Sequence, residues 1–234
     1  MTAIMRRELQ AYFSSPIGYI YLAVFYVFAG FYFFATTLMS NTADISGVFN
    51  SMFTIVLFLI PILTMRLFSE DLKYRTDQAL LTAPINLTSL VLGKFFAASM
   101  VFLTGLAITL VYGLIVAVFV PPNWPLIWGN FVALLLLGMA LIAIGMFISS
   151  LTESQVIAAV GAFAVGLALL LVDSLASVFT NPILVAFFDG ISFMKRYEVF
   201  TQGIFDFSSI VFFLSVSAIF IFLTVRVQEK RRWS

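Results

Sequence analysis

The chain has 234 residues, 62% of them hydrophobic and 10% charged, with a formal net charge of +1 and a mean hydropathy of +1.12. These values lie far outside the soluble range and point to an all-α polytopic membrane protein. It contains no Cys and no His, which excludes disulfides, thiolate chemistry and a serine–histidine dyad, and removes the best zinc ligands.

The first segment, before any span, places Met5, Leu9, Tyr12 and Phe13 at i, i+4, i+7 and i+8, with Arg6, Arg7, Glu8 and Gln10 turned the other way. This predicts a helix over residues 1–15 lying in the membrane interface. Ser14-Ser15-Pro16 reads as a stop and restart, with a Ser cap and Pro at the first helical position. The Arg-Arg pair followed by an apolar run has the outline of a secretory signal. The run is too long for one and lacks a small-residue cleavage site, so it reads as the first span.

Uncharged runs then follow at Leu9–Ala43, Ile45–Met65, Phe95–Thr152, Ser154–Val172 and Phe207–Val225. About 20 apolar residues cross the hydrocarbon core as a helix. The third run is too long for one helix and is broken by Pro121-Pro122-Asn123-Trp124-Pro125. Six spans result, at about Ile17–Leu38, Val48–Met65, Leu92–Phe119, Leu126–Ser149, Gln155–Val172 and Ser208–Val225, in one transmembrane domain covering 1–234. Pro61 should kink the second near its end.

Between spans two and three, Arg66, Glu70, Asp71, Lys73, Arg75 and Asp77 crowd into twelve residues. At helical spacing Arg66, Glu70, Lys73 and Asp77 form one stripe and Asp71–Arg75 an i, i+4 pair. Phe68, Leu72, Thr76, Ala79, Leu80 and Ala83 share a less polar face. A short amphipathic helix over 66–84, ended by Pro84, is predicted. A solvated loop helix or a lipid-surface helix would need no partner, but the balance of acids and bases argues against a pure anchor for anionic lipid.

Thr152 and Gln155 have capping-box spacing at the start of span five, where Glu153 suits a helix N-terminus. Ala158, Ala162 and Gly166 then fall four apart, a small-residue stripe for close helix packing. The link over 173–207 holds Pro182–Phe188, too short to cross and too apolar for a solvated loop, and a re-entrant or interfacial hairpin fits it. Placing both termini inside puts ten Lys/Arg on the cytoplasmic side and only Lys195 and Arg196 outside, as the positive-inside rule demands. The basic residues are thus accounted for by topology, and no nucleic-acid partner is expected.

The run Phe68-Ser69-Glu70-Asp71-Leu72-Lys73-Tyr74-Arg75-Thr76-Asp77-Gln78-Ala79-Leu80-Leu81-Thr82-Ala83-Pro84-Ile85, followed by Leu92-Gly93-Lys94-Phe95, resembles the ABC-2 type permeases, the membrane subunits of a class of ATP-driven exporters. The opening Arg7-Glu8-Leu9-Gln10-Ala11-Tyr12-Phe13-Ser14-Ser15-Pro16-Ile17-Gly18-Tyr19 is similar to the gliding-motility subgroup. Thr76-Asp77-Gln78 departs from the Gly-Thr-Leu-Glu-like sequence of many members. The resemblance implies a prokaryotic cell-membrane permease that pairs with a second permease chain and couples to cytoplasmic ATPase subunits. ATP and Mg would be held on those subunits, since no G-x-x-x-x-G-K-[ST] loop occurs here. It makes 66–84 a coupling helix and the 173–207 hairpin an outer closure. Glu70, Asp71, Lys73, Arg75 and Asp77 become the leading ATPase-coupling residues, with Arg7, Glu8 and Glu153 secondary.

No catalytic or metal site is expected in this chain, and no cofactor of its own. The competing readings are an ABC-type mechanical or regulatory module without cargo and a stand-alone secondary transporter. The latter is disfavoured by the lack of ionisable groups at depth in the spans.

Overall fold

In hydrocarbon every backbone N–H and C=O must be satisfied within its own segment, so long apolar runs fold as helices. A computed structural model of the protein describes residues 2–75, 86–178, 188–204 and 206–232, the side chains of 173–178 excepted. The described elements are α1 (Thr2–Ser14), α2 (Pro16–Tyr32) running on as a π-helical segment Phe33–Leu38, α3 (Ser46–Thr64), α4 (Ser69–Lys73), α5 (Leu87–Leu106), α6 (Ile108–Phe119), α7 (Trp124–Ser149), α8 (Gln155–Val178), α9 (Phe193–Thr201) and α10 (Phe207–Arg232). Six helical stretches are long and apolar enough to cross a membrane: Pro16–Leu38, Ser46–Lys73, Leu87–Phe119, Trp124–Ser149, Gln155–Val172 and Phe207–Arg232. All six predicted spans are therefore present, and the protein is a helical multi-pass membrane protein.

The bundle is built around α7, whose most apolar window is 72% buried, against 17% for α8 and 22% for α10. Its neighbours are α3, α5, α8 and α10. The end of the bundle that carries α1 is called the near end below, and the opposite end the far end. Within span three one turn residue, Ala107, separates α5 from α6 and keeps helical dihedrals, φ −56° and ψ −23°. Below that residue the Tyr26 hydroxyl donates to the Thr104 carbonyl at 3.1 Å. Above it the rings of Phe33 and Tyr112 stack, with centroids 4.4 Å apart and planes 8° from parallel.

Pro61 lies inside α3, and its missing N–H leaves the Leu57 carbonyl without its usual i+4 donor. Gly166 of α8 backs onto that carbonyl, where a Cβ would sit 3.2 Å from the oxygen. Ala158 and Ala162 are buried as well. The small-residue stripe is thus used inside the chain, letting α8 close on α3. The cap of α8 differs from the expected one. Ser154, not Thr152, takes the capping position, its Oγ accepting from the Ile157 N–H at 3.4 Å, while the Thr152 hydroxyl accepts from the Ser154 N–H. Ser154 competes better because it stands directly before the first helical residue.

At the near end, Ser15 and Pro16 occupy the predicted cap and first-turn positions of α2, but the Ser15 hydroxyl does not cap. It instead accepts a hydrogen bond from Arg66 at 2.7 Å. The tight corner brings Gly18 against the Tyr12 carbonyl, where a Cβ would lie 2.6 Å from the oxygen. At the far end, α9 is fastened by Tyr197, whose buried hydroxyl donates to the Phe49 carbonyl at 2.8 Å. Lys195 pairs with Asp189, and Arg196 donates to Ser208 at 2.6 Å. The apolar piece assigned to a hairpin, Pro182–Phe188, lies outside the described residues but for Phe188, which is helical. Asp206 accepts from the backbone N–H groups of Ser208 and Ser209 and from the Ser209 hydroxyl at the head of α10. The Ser209 hydroxyl first, and those N–H groups after it, hold the Asp206 carboxyl below its usual range.

Two outcomes follow from these contacts. Gly18→Ala forces its methyl against a backbone oxygen that cannot rotate away, and should cost about 1–3 kcal/mol, read as a lower melting temperature in detergent. A carboxylate whose pKa is lowered on folding stabilises above its unfolded pKa and loses that contribution as pH falls through the folded value. Asp206→Ala should therefore melt below wild type at neutral pH, and the two curves should converge as the pH is taken down through the carboxylate range.

Candidate functional site: a charged platform at one end of the bundle

The near end gathers α1, the turn after α3, α4 and the first turns of α5. The chain leaves α3 through Met65–Phe68 and enters the five-residue helix α4. This turn is tied to α7 by one side chain. Ser149 Oγ accepts from the N–H groups of Phe68 and Ser69, both at 3.1 Å, and donates to the Met65 carbonyl at 3.1 Å. A helix end leaves such groups without intrahelical partners, and a buried hydroxyl is what satisfies them here. Tyr12 does the same for the end of α3, its hydroxyl donating to the Leu63 carbonyl at 2.7 Å. Burial pushes the Tyr12 phenol well above its ordinary pKa, so it stays a donor.

Charge is organised around two cations. Lys94, in α5, is only 2% exposed, and its ammonium stands 3.1 Å from Glu8 Oε1 and 2.8 Å from Asp71 Oδ2. It also lies 5.2 Å from the centroid of the Phe68 ring. Arg66 sits 3.1 Å from Glu70 Oε2, and its guanidinium covers the Tyr12 ring at 5.2 Å. Arg7 reaches the same Glu8 oxygen at 2.6 Å. That hydrogen bond holds the Arg7 pKa up, against the opposing effect of burial. Between these groups opens a cleft of about 360 Å³ lined by Arg7, Glu8, Tyr12, Arg66, Glu70, Asp71, Tyr74 and Lys94, among others.

The expected coupling residues divide accordingly. Arg7, Glu8, Glu70 and Asp71 are brought together, Glu8 and Asp71 turned to Lys94 in the bundle, Glu70 half-buried and Arg7 exposed. Glu8 was expected on the solvent face of α1 and instead turns to Lys94, while Phe13 is the exposed member of the predicted apolar face. Asp71 pairs with Lys94 rather than with Arg75. The 66–84 segment is not one continuous helix over its described part: α4 stops at Lys73 and Arg75 adopts a left-handed φ of 55°. Its buried face is as expected where it is described, through Phe68 and Leu72. Lys73 and Arg75 are exposed. Asp77 lies outside the described residues, as does the rest of the segment to Pro84. Glu153 is exposed in the link after Ser149 and does not line the cleft.

Sequence reasoning missed Lys94 and Ser149. For Lys94 a signal existed: an ionisable residue two turns into a span needs a named carboxylate partner, and the predicted topology put Glu8 and Asp71 at the same end of the bundle. Ser149 carried none, since a Ser at the end of a span is ordinary. No family model matches the chain, and no curated protein is significantly similar to it.

Removing one partner from a buried ion pair leaves the other charge uncompensated and costs about 3–5 kcal/mol. Lys94→Met should therefore lower stability by that order. Lys94→Met/Glu8→Gln/Asp71→Asn should recover most of it, because no charge is left stranded. Thermal denaturation of the three proteins in the same detergent checks this. A triple variant no better than the single would mean that the cost lies in packing around the Lys94 stem.

Proposed function

We propose that this protein is the membrane subunit of an ATP-driven exporter of the ABC-2 permease type, a dimerising six-span permease whose near end is cytoplasmic and docks separate ATPase subunits. The observation that carries the reading is the near-end platform. The charged segment runs straight on from α3 and is tied to α5 by Lys94 and to α7 by Ser149, while the Tyr12–Leu63 bond ties α1 to α3, so a push on α4 is felt by α3, α5 and α7. A solvated loop has no need of such anchoring. The likeness of the 68–85 run and of Arg7–Tyr19 to that family, and the gathering of Lys and Arg at one end, point the same way.

On this reading α1 is the interfacial helix, α4 is the start of the coupling element, and α9 with the link before it closes the outer end. ATP and Mg belong to the partner chain, and the cell membrane of a prokaryote is the setting. Ion coupling finds little support, because Lys94 is committed to two carboxylates at the end of its span.

The test is co-purification in mild detergent with the ATP-hydrolysing subunit encoded beside this gene. A stable complex in which ATP hydrolysis responds to the permease is the expected result. If the wild-type protein retains no ATPase under conditions that keep it monodisperse, the reading fails and a stand-alone transporter takes its place. Flux of a cargo into inverted vesicles then separates export from a purely mechanical role.

A further inference from the structure

In the described part of the charged segment the charges up to Asp71 are paired within the protein, whereas Lys73 and Arg75 are exposed, and this bears on what the docked partner must look like; the argument rests on the reading just given. Glu8 and Asp71 are held by Lys94, and Glu70 by Arg66. After Glu70 the chain makes one more turn, with the Tyr74 N–H on the Glu70 carbonyl and the Arg75 N–H on the Leu72 carbonyl, and then enters the left-handed region at Arg75. A non-glycine residue is uncommon there. Lys73, Tyr74 and Arg75 are all exposed here, Tyr74 at the edge of the cleft.

Tyr74 is 66% exposed, with the Lys73 ammonium 5.7 Å from its ring centroid. Arg6 and Arg7 of α1 are exposed on the same end. The positive-inside rule accounts for an excess of cations at a cytoplasmic end. It does not account for Glu70 and Asp71 being paired within the protein by Arg66 and Lys94 while the next cations, Lys73 and Arg75, and one aromatic ring are left exposed.

We propose that Lys73, Tyr74 and Arg75 form the contact face of the platform, and that the ATPase surface receiving it is an acidic groove with space for one aromatic ring. Tyr and Arg are the residue types that most often dominate interface energy, and complementary charge around them steers docking and fixes orientation. Glu70 and Asp71, which sequence alone nominates as acceptors for basic groups on the ATPase, act inside the permease instead. The partner's groove must then supply the negative charge.

The experiment compares wild type, Glu70→Gln and Lys73→Glu/Arg75→Glu proteins for retention of the ATPase, in detergent with and without added anionic lipid, each first shown to be monodisperse. The double reversal should weaken the complex by at least about tenfold and Glu70→Gln by less than about twofold, as expected for a contact charge and a charge already paired elsewhere. Reversing acids in the ATPase groove to lysine should restore binding to the double variant. Tyr74→Ala gives an independent check should the double variant fail to insert, and it should also lose the complex.

Full retention by the double variant, a greater loss for Glu70→Gln, or equal losses for both would overturn the proposal while leaving the permease reading intact. A loss seen only with anionic lipid present would also overturn it and assign the face to headgroups. If wild type itself retains no ATPase, the permease reading falls, and the contact face with it.

Discussion

The near end of this protein depends on an ammonium group held between two carboxylates. Lys94 reaches Glu8 from one helix and Asp71 from another while standing on a third. Removing an ammonium from water is expensive, and two acids with an aromatic ring beneath them are what make its position tolerable. Because those acids come from α1 and α4, the cost of leaving Lys94 alone becomes a force that holds both elements on α5. The rest of the platform follows: the corner at Ser15 is closed by Arg66, and the exit from α3 by Tyr12 and Ser149.

That arrangement joins two kinds of material. Away from its ends the bundle is apolar, held by packing between helices such as α3 and α8, where a glycine covers a carbonyl left open by proline. At the near end the same helices are joined by directional contacts between charges and backbone groups. Packing tolerates small shifts, whereas ion pairs and hydrogen bonds fix distances, so the near end is the part of the bundle whose geometry is most closely specified.

The spans were legible in the sequence because membrane insertion leaves a one-dimensional trace: five uncharged runs, one of them divided at Pro121–Pro125, account for the six helical spans. The small-residue stripe at Ala158, Ala162 and Gly166 was legible for the same reason. The site was half legible. Charge density marked the 66–77 segment, and helical spacing proposed partners for Glu70 and Asp71. Spacing sees only neighbours on the same helix, so it found Arg66–Glu70 and offered Arg75 to Asp71 when Lys94 was the partner. The break at Tyr74–Arg75 had no Gly or Pro to announce it. Ser154 taking the cap from Thr152 is a smaller case of the same limit, a choice between near-equivalent hydroxyls made by local geometry.

The turn residue Ala107 in span three lies between two contacts with span one. Below it Tyr26 fastens span one to span three, and above it Phe33 and Tyr112 are stacked face to face. The first span turns π-helical from Phe33 onward, so its hydrogen-bond ladder changes register on the far side of the same contact zone. Spans one and three thus carry their irregular backbone side by side, well inside the bundle, where one hydrogen bond and one aromatic stack join them.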